Sequence, residues 1–239
     1  MKTVTIRLAG LLQSYGSEAN FNYRTTLGYP SKSAVIGMIA AAFGYERDNP
    51  AINRLNNLAF AVRIDQPGRA LQDFQMVHMQ KGKQIQSKIT YRDYLQDAVF
   101  VVAIGSEDSE LIEKIQYSLR HPRFSLFLGR RANVPGGMLQ TKVYEDTTPI
   151  NILDSLQWQA AKWFQKKQKK QDKVQVDIVA DANLLPDQRY YLQKDKVVSF
   201  SQKSRQFEFR RIAEKSIELI NPQFEKLGWD TEHDIMNFL

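Results

Sequence analysis

Apolar and polar residues alternate from Thr3 to Gly10. Val4, Ile6 and Leu8 fall on one face and Thr3, Thr5 and Arg7 on the other, so the chain opens on a half-buried strand. A polar stretch without sustained period follows, holding Gln13-Ser14-Tyr15-Gly16 and Arg24-Thr25, and reads as a long loop. Pro30-Ser31-Lys32-Ser33 leads into an apolar run from Ala34 to Phe43, closed by Gly44. A serine before such a run and a glycine after it predict a buried helix. Leu58 to Asp65 is a second strand, ended by Pro67-Gly68, and Ala98 to Ile104 a third, ended by Gly105. Leu111, Ile112, Ile115 and Leu119 recur at helical spacing within Ser106 to Arg120, and Pro122 closes that helix. Phe124 to Leu128 reads as a fourth strand running into Gly129-Arg130-Arg131.

Because strand–helix–strand crossovers are right-handed, this order folds most simply into an α+β, ferredoxin-like (βαββαβ) antiparallel sheet with both helices on one face. A hairpin turn of a few residues would suffice between the second and third strands. Instead, residues from Asp73 to about Tyr94 form a polar, basic insertion, and long polar insertions at hairpin tips are more often functional than structural. After Pro135-Gly136-Gly137 the character changes. A tryptophan-bearing helical stretch (Asn151 to about Lys170) precedes strand-like runs at Val174 to Ala180, Arg189 to Gln193, Lys196 to Phe200 and Gln206 to Ile212, and a small terminal helix is expected around Phe224, Leu227 and Trp229. The expected division is a domain over 1–138, with the insertion at about 75–93, and a smaller β-containing domain over 139–239.

Composition narrows the function classes. Hydrophobic residues make up 43% of the 239, enough for a sizeable core. The absence of cysteine excludes a disulfide framework, a cysteine nucleophile and a thiolate metal site, and suits a reducing cytoplasm. No signal peptide is read at the N-terminus, and no stretch approaches the roughly 18 apolar residues of a membrane span. The formal charge of +7 is a modest argument for a polyanionic partner, and where the charges sit must decide.

Three stretches are candidates. The first joins Gln13, Ser14, Tyr15, Arg24 and Thr25 to Ser31, Lys32 and Ser33 at the helix start. Unpaired N–H groups and the helix dipole suit phosphate there, although an ordinary serine cap with a solvated lysine fits the same residues. The second is Gly129, Arg130 and Arg131. Adjacent arginines on a strand point to opposite faces, so at most one turns inward unless the chain bends, and the reading is either a bidentate phosphate contact or a surface ion pair. The third is the insertion, where Met76, Val77, His78 and Met79 adjoin Lys81, Lys83, Lys88, Tyr91 and Arg92. Apolar tips with cations suit a strand-separating wedge; the alternative is a disordered basic loop. The lysine run Lys166-Lys167-Gln168-Lys169-Lys170 reads as a solvated helix face. Catalysis has little support: His78, His121 and His233 lack metal-ligand spacing, no hydrolase or phosphate-loop motif is present, and no cofactor is expected. The first strand carries no aromatic platform, so RNA binding would use loops and the insertion rather than an open sheet face.

Taken together, the blocks RLAGLLQSYG (Arg7 to Gly16), Arg24-Thr25, PSKSAVIGMIAAAFG (Pro30 to Gly44), FAVRID-PG (Phe60 to Gly68), Asp73-Phe74, YRDYLQDAVFVVAI (Tyr91 to Ile104) and HPRFSLFLGRR (His121 to Arg131) resemble the CasD family, the type I-E CRISPR-associated "Cas five" subunit of the Cascade complex. The resemblance implies a cytoplasmic, non-catalytic member of the repeat-associated (RAMP) superfamily with a ferredoxin-like fold and a protruding thumb at about Val77 to Arg92. Such a subunit holds the 5′ handle of the guide crRNA and caps the backbone filament. It contacts the adjacent backbone subunit and the large subunit and meets target DNA only indirectly. It also implies handle contacts at Ser31, Lys32, Ser33, Gly129, Arg130 and Arg131. Relatives in type I-C systems cut precursor RNA without metal, which is the alternative activity. The chain departs from its relatives after the two arginines, where Ala132-Asn133-Val134-Pro135 replaces a frequent Ser-Cys-Pro run.

Overall fold

A computed structural model describes residues 1–16, 22–82 and 84–225. The elements in chain order are β1 (Lys2–Ala9), β2 (Leu12–Gln13), β3 (Tyr23–Arg24), α1 (Lys32–Phe43), α2 (Ala51–Arg54), β4 (Ala59–Gln66), β5 (Arg69–Lys81), β6 (Gln84–Gln96), β7 (Val99–Ser106), α3 (Ser109–Arg120), β8 (Gln140–Tyr144), α4 (Pro149–Ser155), α5 (Lys162–Lys167), β9 (Lys173–Asp181), β10 (Tyr190–Ser199) and β11 (Gln206–Ile220). One seven-stranded sheet, in the order β10-β11-β9-β4-β7-β1-β8, dominates; every pairing in it is antiparallel. The strands after residue 139 extend this same sheet.

The alternation read in β1 is the alternation observed. Val4, Ile6 and Leu8 join Phe60, Val62, Phe100, Val102 and Ile104 in one core, beneath Val35, Ile36 and Ile39 of α1 and Ile112, Ile115 and Leu119 of α3. Both helices therefore cover one sheet face. Ser31 caps α1, accepting from the Ala34 N–H, and Asp108 caps α3 in the same way. On the opposite face Ala61, Val101 and Ala103 pack against Ile150 and Leu153 of α4. Burial on both sides explains why β7 reads as an unbroken apolar run.

Two expectations are corrected. Phe124 to Leu128 is not a strand, and β8 instead takes the place beside β1. The backbone of that run is committed elsewhere: the Arg123 and Phe124 N–H groups donate to Ala42 and Ala41 at the end of α1, and the Leu128 N–H donates to Asn133. The tryptophan-bearing stretch is not one helix, since α4 and α5 are separated by residues 156–161. The cause is Arg63, fully buried on β4. It forms an ion pair with Asp65 and donates to the carbonyls of Leu153, Leu156 and Gln157, while the Trp158 indole donates to the Asp65 carbonyl. Carbonyls recruited this way are lost to a continuing helix. The expected terminal helix around Leu227 and Trp229 lies outside the described residues.

The insertion forms a long hairpin of β5 and β6, paired without a break from Arg69↔Gln96 to Lys81↔Gln84. Its base is braced by β2, antiparallel to β6, and by β3, parallel to it. Cross-strand partners share a face, so Phe74 and Met76 of β5 stand with Tyr91 and Ile89 of β6 as an exposed apolar patch, separated from Ile85 by the His78–Ser87 pair, while Lys88 and Arg92 lie on the other face.

Candidate nucleic-acid interface

A groove of ≈ 1050 Å³ runs over α1, and its lining collects the first two candidate stretches: Ser14, Tyr15, Arg24, Thr25, Ser31 and Ser33 with Gly129, Arg130 and Arg131. Its lining cations are Arg24, Arg47, Arg130, Arg131, Lys194 and Arg205, and Glu46 is the single carboxylate among the described lining residues. Such an imbalance inside a concave surface concentrates positive potential where a polyanion would lie.

The corner that holds the arginines is built on backbone. Gly129 has a φ of +91°, and a Cβ there would stand 1.7 Å from the Ser14 carbonyl oxygen. Only glycine allows this approach. The Ser14 N–H donates to Leu128 at 3.1 Å, the Asn133 N–H returns to the Arg130 carbonyl at 2.9 Å, and the Asn133 amide donates to the Leu128 carbonyl at 3.2 Å. The turn points the two arginines differently. Arg130 turns inward, donating from Nη2 to the Arg24 carbonyl at 2.6 Å and lying 4.7 Å from the Tyr94 ring centroid, while its Nη1 is buried without an acceptor among the described residues. Arg131 is exposed, and neither it nor Arg24 is ion-paired among the described residues.

Other candidate residues turn out to be scaffold. Tyr15 is buried edge-on against Phe100 and donates to the Gln13 side chain at 2.6 Å; Gln13 in turn donates to the Ala98 carbonyl at 2.7 Å. Burial pushes the Tyr15 phenol well above its usual range. Ser14 does line the groove, and its hydroxyl donates to the Asp93 carbonyl, tying the corner to β6. Lys32 is the clearest correction. Its side chain is buried, with Nζ 3.0 Å from Asp181, and its backbone N–H donates to Asp195 at 2.9 Å. Arg210 completes this cluster, contacting Asp195 at 2.6 Å and Asp181 at 2.7 Å. The carboxylate at the α1 N-terminus is thus the chain's own. Burial lowers the Lys32 ammonium, with Asp181 opposing. Ser31 and Ser33 hydroxyls lie 3.2 Å apart at the groove edge, with Ser31 occupied by capping.

The hairpin residues are not in the groove lining. Arg92 pairs with Arg24, and Tyr91 with Tyr23, whose rings are 5.3 Å apart, so the hairpin base adjoins the corner through β3. Lys88 sits four residues further out, about 13 Å along the strand. His78 is exposed and within hydrogen-bond distance of the Ser87 hydroxyl at 2.9 Å. Lys81 closes the last pair of β5 and β6, and Lys83 lies outside the described residues. The lysine run at the end of α5 is exposed, with Lys169 paired to Glu225. Among the described residues no cluster could hold a metal ion, and no helix is long and apolar enough to cross a membrane. Arg47 and Arg205 are groove residues that sequence reasoning missed. The interleaving of Phe200, Arg205 and Phe207 was the available signal.

The chain is similar to several known proteins. The profile of the family described as "CRISPR-associated protein (Cas_Cas5)" matches residues 3–213. The CRISPR system Cascade subunit CasD of Escherichia coli (strain K12) is 29% identical over 144 residues, covering 53% of this chain and 64% of that relative, so the match spans just under two thirds of its length. A chain of a CRISPR RNA-guided surveillance complex superposes with a TM-score of 0.74 at 28% identity, covering 99% of this chain and 98% of the other. A second solved structure, described as that of a Cas protein, gives 0.64 at 26% identity over 94% and 98%. The groove, the arginine corner and the hairpin therefore sit on a shared fold, and the chain belongs to the Cas5 family of CRISPR-associated proteins.

Proposed function

We propose that this chain is a non-catalytic subunit of a type I-E Cascade surveillance complex that binds the 5′ handle of the guide crRNA and caps the backbone filament. The observation that carries the reading is the convergence of Arg24, Arg130 and Arg131 on one groove with a single acidic lining residue. Arg24 and Arg131 are exposed there, and planar guanidinia give bidentate phosphate contacts, while Arg130 braces the corner through the Arg24 carbonyl. Phosphates held at the corner fix the strand, and a few base-edge contacts read it. The β5–β6 hairpin, with its exposed apolar residues Phe74, Met76, Ile85 and Ile89, acts as the thumb that displaces a base, with His78, Lys88, Tyr91 and Arg92 along it.

The path β1–α1–β4–β7–α3–β8, with strand order β4-β7-β1-β8, supports a ferredoxin-like reading. In that reading residues 1–138 carry most of the RNA-gripping unit, β8 just past that boundary completes its sheet, and the later strands are a β-rich extension that adds Lys194, Phe200, Arg205 and Phe207 to the groove. The proposed setting is the cytoplasm, with crRNA, the adjacent backbone subunit and the large subunit as partners. An endoribonuclease would need a general base and acid beside a 2′-hydroxyl. His78 and His121 are not groove-lining residues, and His121 stacks on Tyr117 at 4.5 Å. Incubating the purified chain with end-labelled repeat RNA in EDTA tests this directly. Binding without cleavage is expected, and specific products would overturn the non-catalytic reading.

A further inference from the structure

Part of the groove lining comes from segments that sequence reasoning left without a role. Phe200 follows β10 and Phe207 is the second residue of β11, and their rings meet edge to face at 6.1 Å. Arg205 lies over both, 5.9 Å from the Phe200 centroid and 5.1 Å from that of Phe207. The ring pair is fixed in place. Both phenylalanines pack against the main core, and Phe200 approaches α1 so closely that a Cβ on Gly37 would stand 3.6 Å from its ring. Arg47, exposed after α1, lines the same groove.

Neither Arg47 nor Arg205 has an ion-pair partner among the described residues. Partial desolvation lowers the Arg205 guanidinium, and the neighbouring Arg47 charge lowers it further. Like charges held near one another without an ion-paired carboxylate repel, and an entering anion relieves the repulsion. A guanidinium backed by aromatic rings also presents a flat, cationic face, the kind of surface on which unpaired bases stack. An acidic protein segment would use the charges but not that face.

We propose that Arg47, Arg205 and the Phe200–Phe207 pair form a second nucleotide subsite, where single-stranded RNA leaving the Arg24–Arg130 corner sets one phosphate between the two guanidinia and stacks the adjoining base on Arg205. This rests on the groove being the guide-RNA site. Charge complementarity and the continuity of one groove identify the occupant.

The test is fluorescence anisotropy of the full chain with a labelled single-stranded RNA carrying the repeat-derived handle, titrated across a series of salt concentrations. Arg47→Ala and Arg205→Ala should each weaken binding about tenfold, in line with loss of a charged hydrogen bond. The double variant Arg47→Ala/Arg205→Ala should reduce the slope of log K against log salt by about 0.7, the value for one phosphate contact on a single strand. Arg205→Lys should keep the slope while losing affinity, because lysine holds the charge but not the stacking plane. Arg47 is exposed, so its variant reports on binding even if Arg205→Ala unsettles the ring pair. If Arg130→Ala weakens binding while Arg47→Ala and Arg205→Ala bind as wild type, the subsite is overturned and the corner stands. If all three bind as wild type, both readings fall.

Discussion

Replacing Gly129 with alanine places a methyl group where the fold holds the Ser14 carbonyl. The φ of +91° costs a non-glycine residue about 1–2 kcal/mol. The 1.7 Å approach cannot be relieved by a rotamer change, because the obstructing atom is backbone. Ser14 must withdraw, and its 3.1 Å hydrogen bond to Leu128 is lost at a further cost of about 0.5–1.5 kcal/mol. The sum is about 1.5–3.5 kcal/mol, which for a domain of this size lowers Tm by about 3–14 °C. Circular dichroism melts of wild type and Gly129→Ala measure the stability, and anisotropy with handle RNA measures the corner. The displacement also moves Arg130 and Arg131, so RNA affinity should drop by more than the melt alone would produce at 25 °C. A variant that melts and binds like wild type would refute the claim that this close approach builds the corner.

Three further outcomes follow from other parts of the molecule. Asp195→Asn removes one member of the buried Lys32–Asp181–Asp195–Arg210 cluster and leaves a buried charge uncompensated, so urea unfolding should show a loss of about 3–5 kcal/mol, whereas an exposed pair such as Lys196–Glu208 should give under about 1 kcal/mol. Tyr15 stays protonated in the folded state above its ordinary value of 10.0. The unfolded chain then binds fewer protons than the folded one, so stability falls as pH rises past 10, and Tyr15→Phe should flatten that alkaline limb while lowering stability at neutral pH. Phe74→Ser together with Ile89→Ser on the exposed hairpin patch should leave Tm within about 2 °C, since both side chains are solvent-facing, yet reduce recovery of the chain with its RNA-bearing complex in a tagged pull-down; unchanged recovery would remove the hairpin from the assembly.

Much of the framework was legible because it depends on local period. The alternation of β1, the capped run of α1, the apolar β7 and the helical spacing of α3 each carry their signal within a dozen residues. The run Phe124 to Leu128 was ambiguous for the opposite reason. A short apolar stretch fits strand or loop equally, and here its hydrogen bonds go to α1 and to Asn133, choices that only the assembled chain makes. Lys32 shows the same limit at the site. Nothing near it in sequence announces that Asp181 and Asp195 will arrive from strands β9 and β10 to neutralise it. For Gly129-Arg130-Arg131 the sequence left open whether the chain bends after the glycine; it does, and Arg130 turns in while Arg131 stays exposed. Arg205 carried a local signal in its place between Phe200 and Phe207, but Arg47 lies far from it in sequence, and only the fold brings the two into one groove.

The most direct test of the RNA clamp is photocrosslinking. A guide RNA with 4-thiouridine in its 5′ segment, assembled with the chain and its partner subunits, is irradiated and the crosslinked peptides are mapped. Crosslinks should concentrate on peptides bearing Ser14, Arg24 and Gly129 to Arg131. Crosslinks confined to other subunits, or to the sheet face covered by α4, would contradict it.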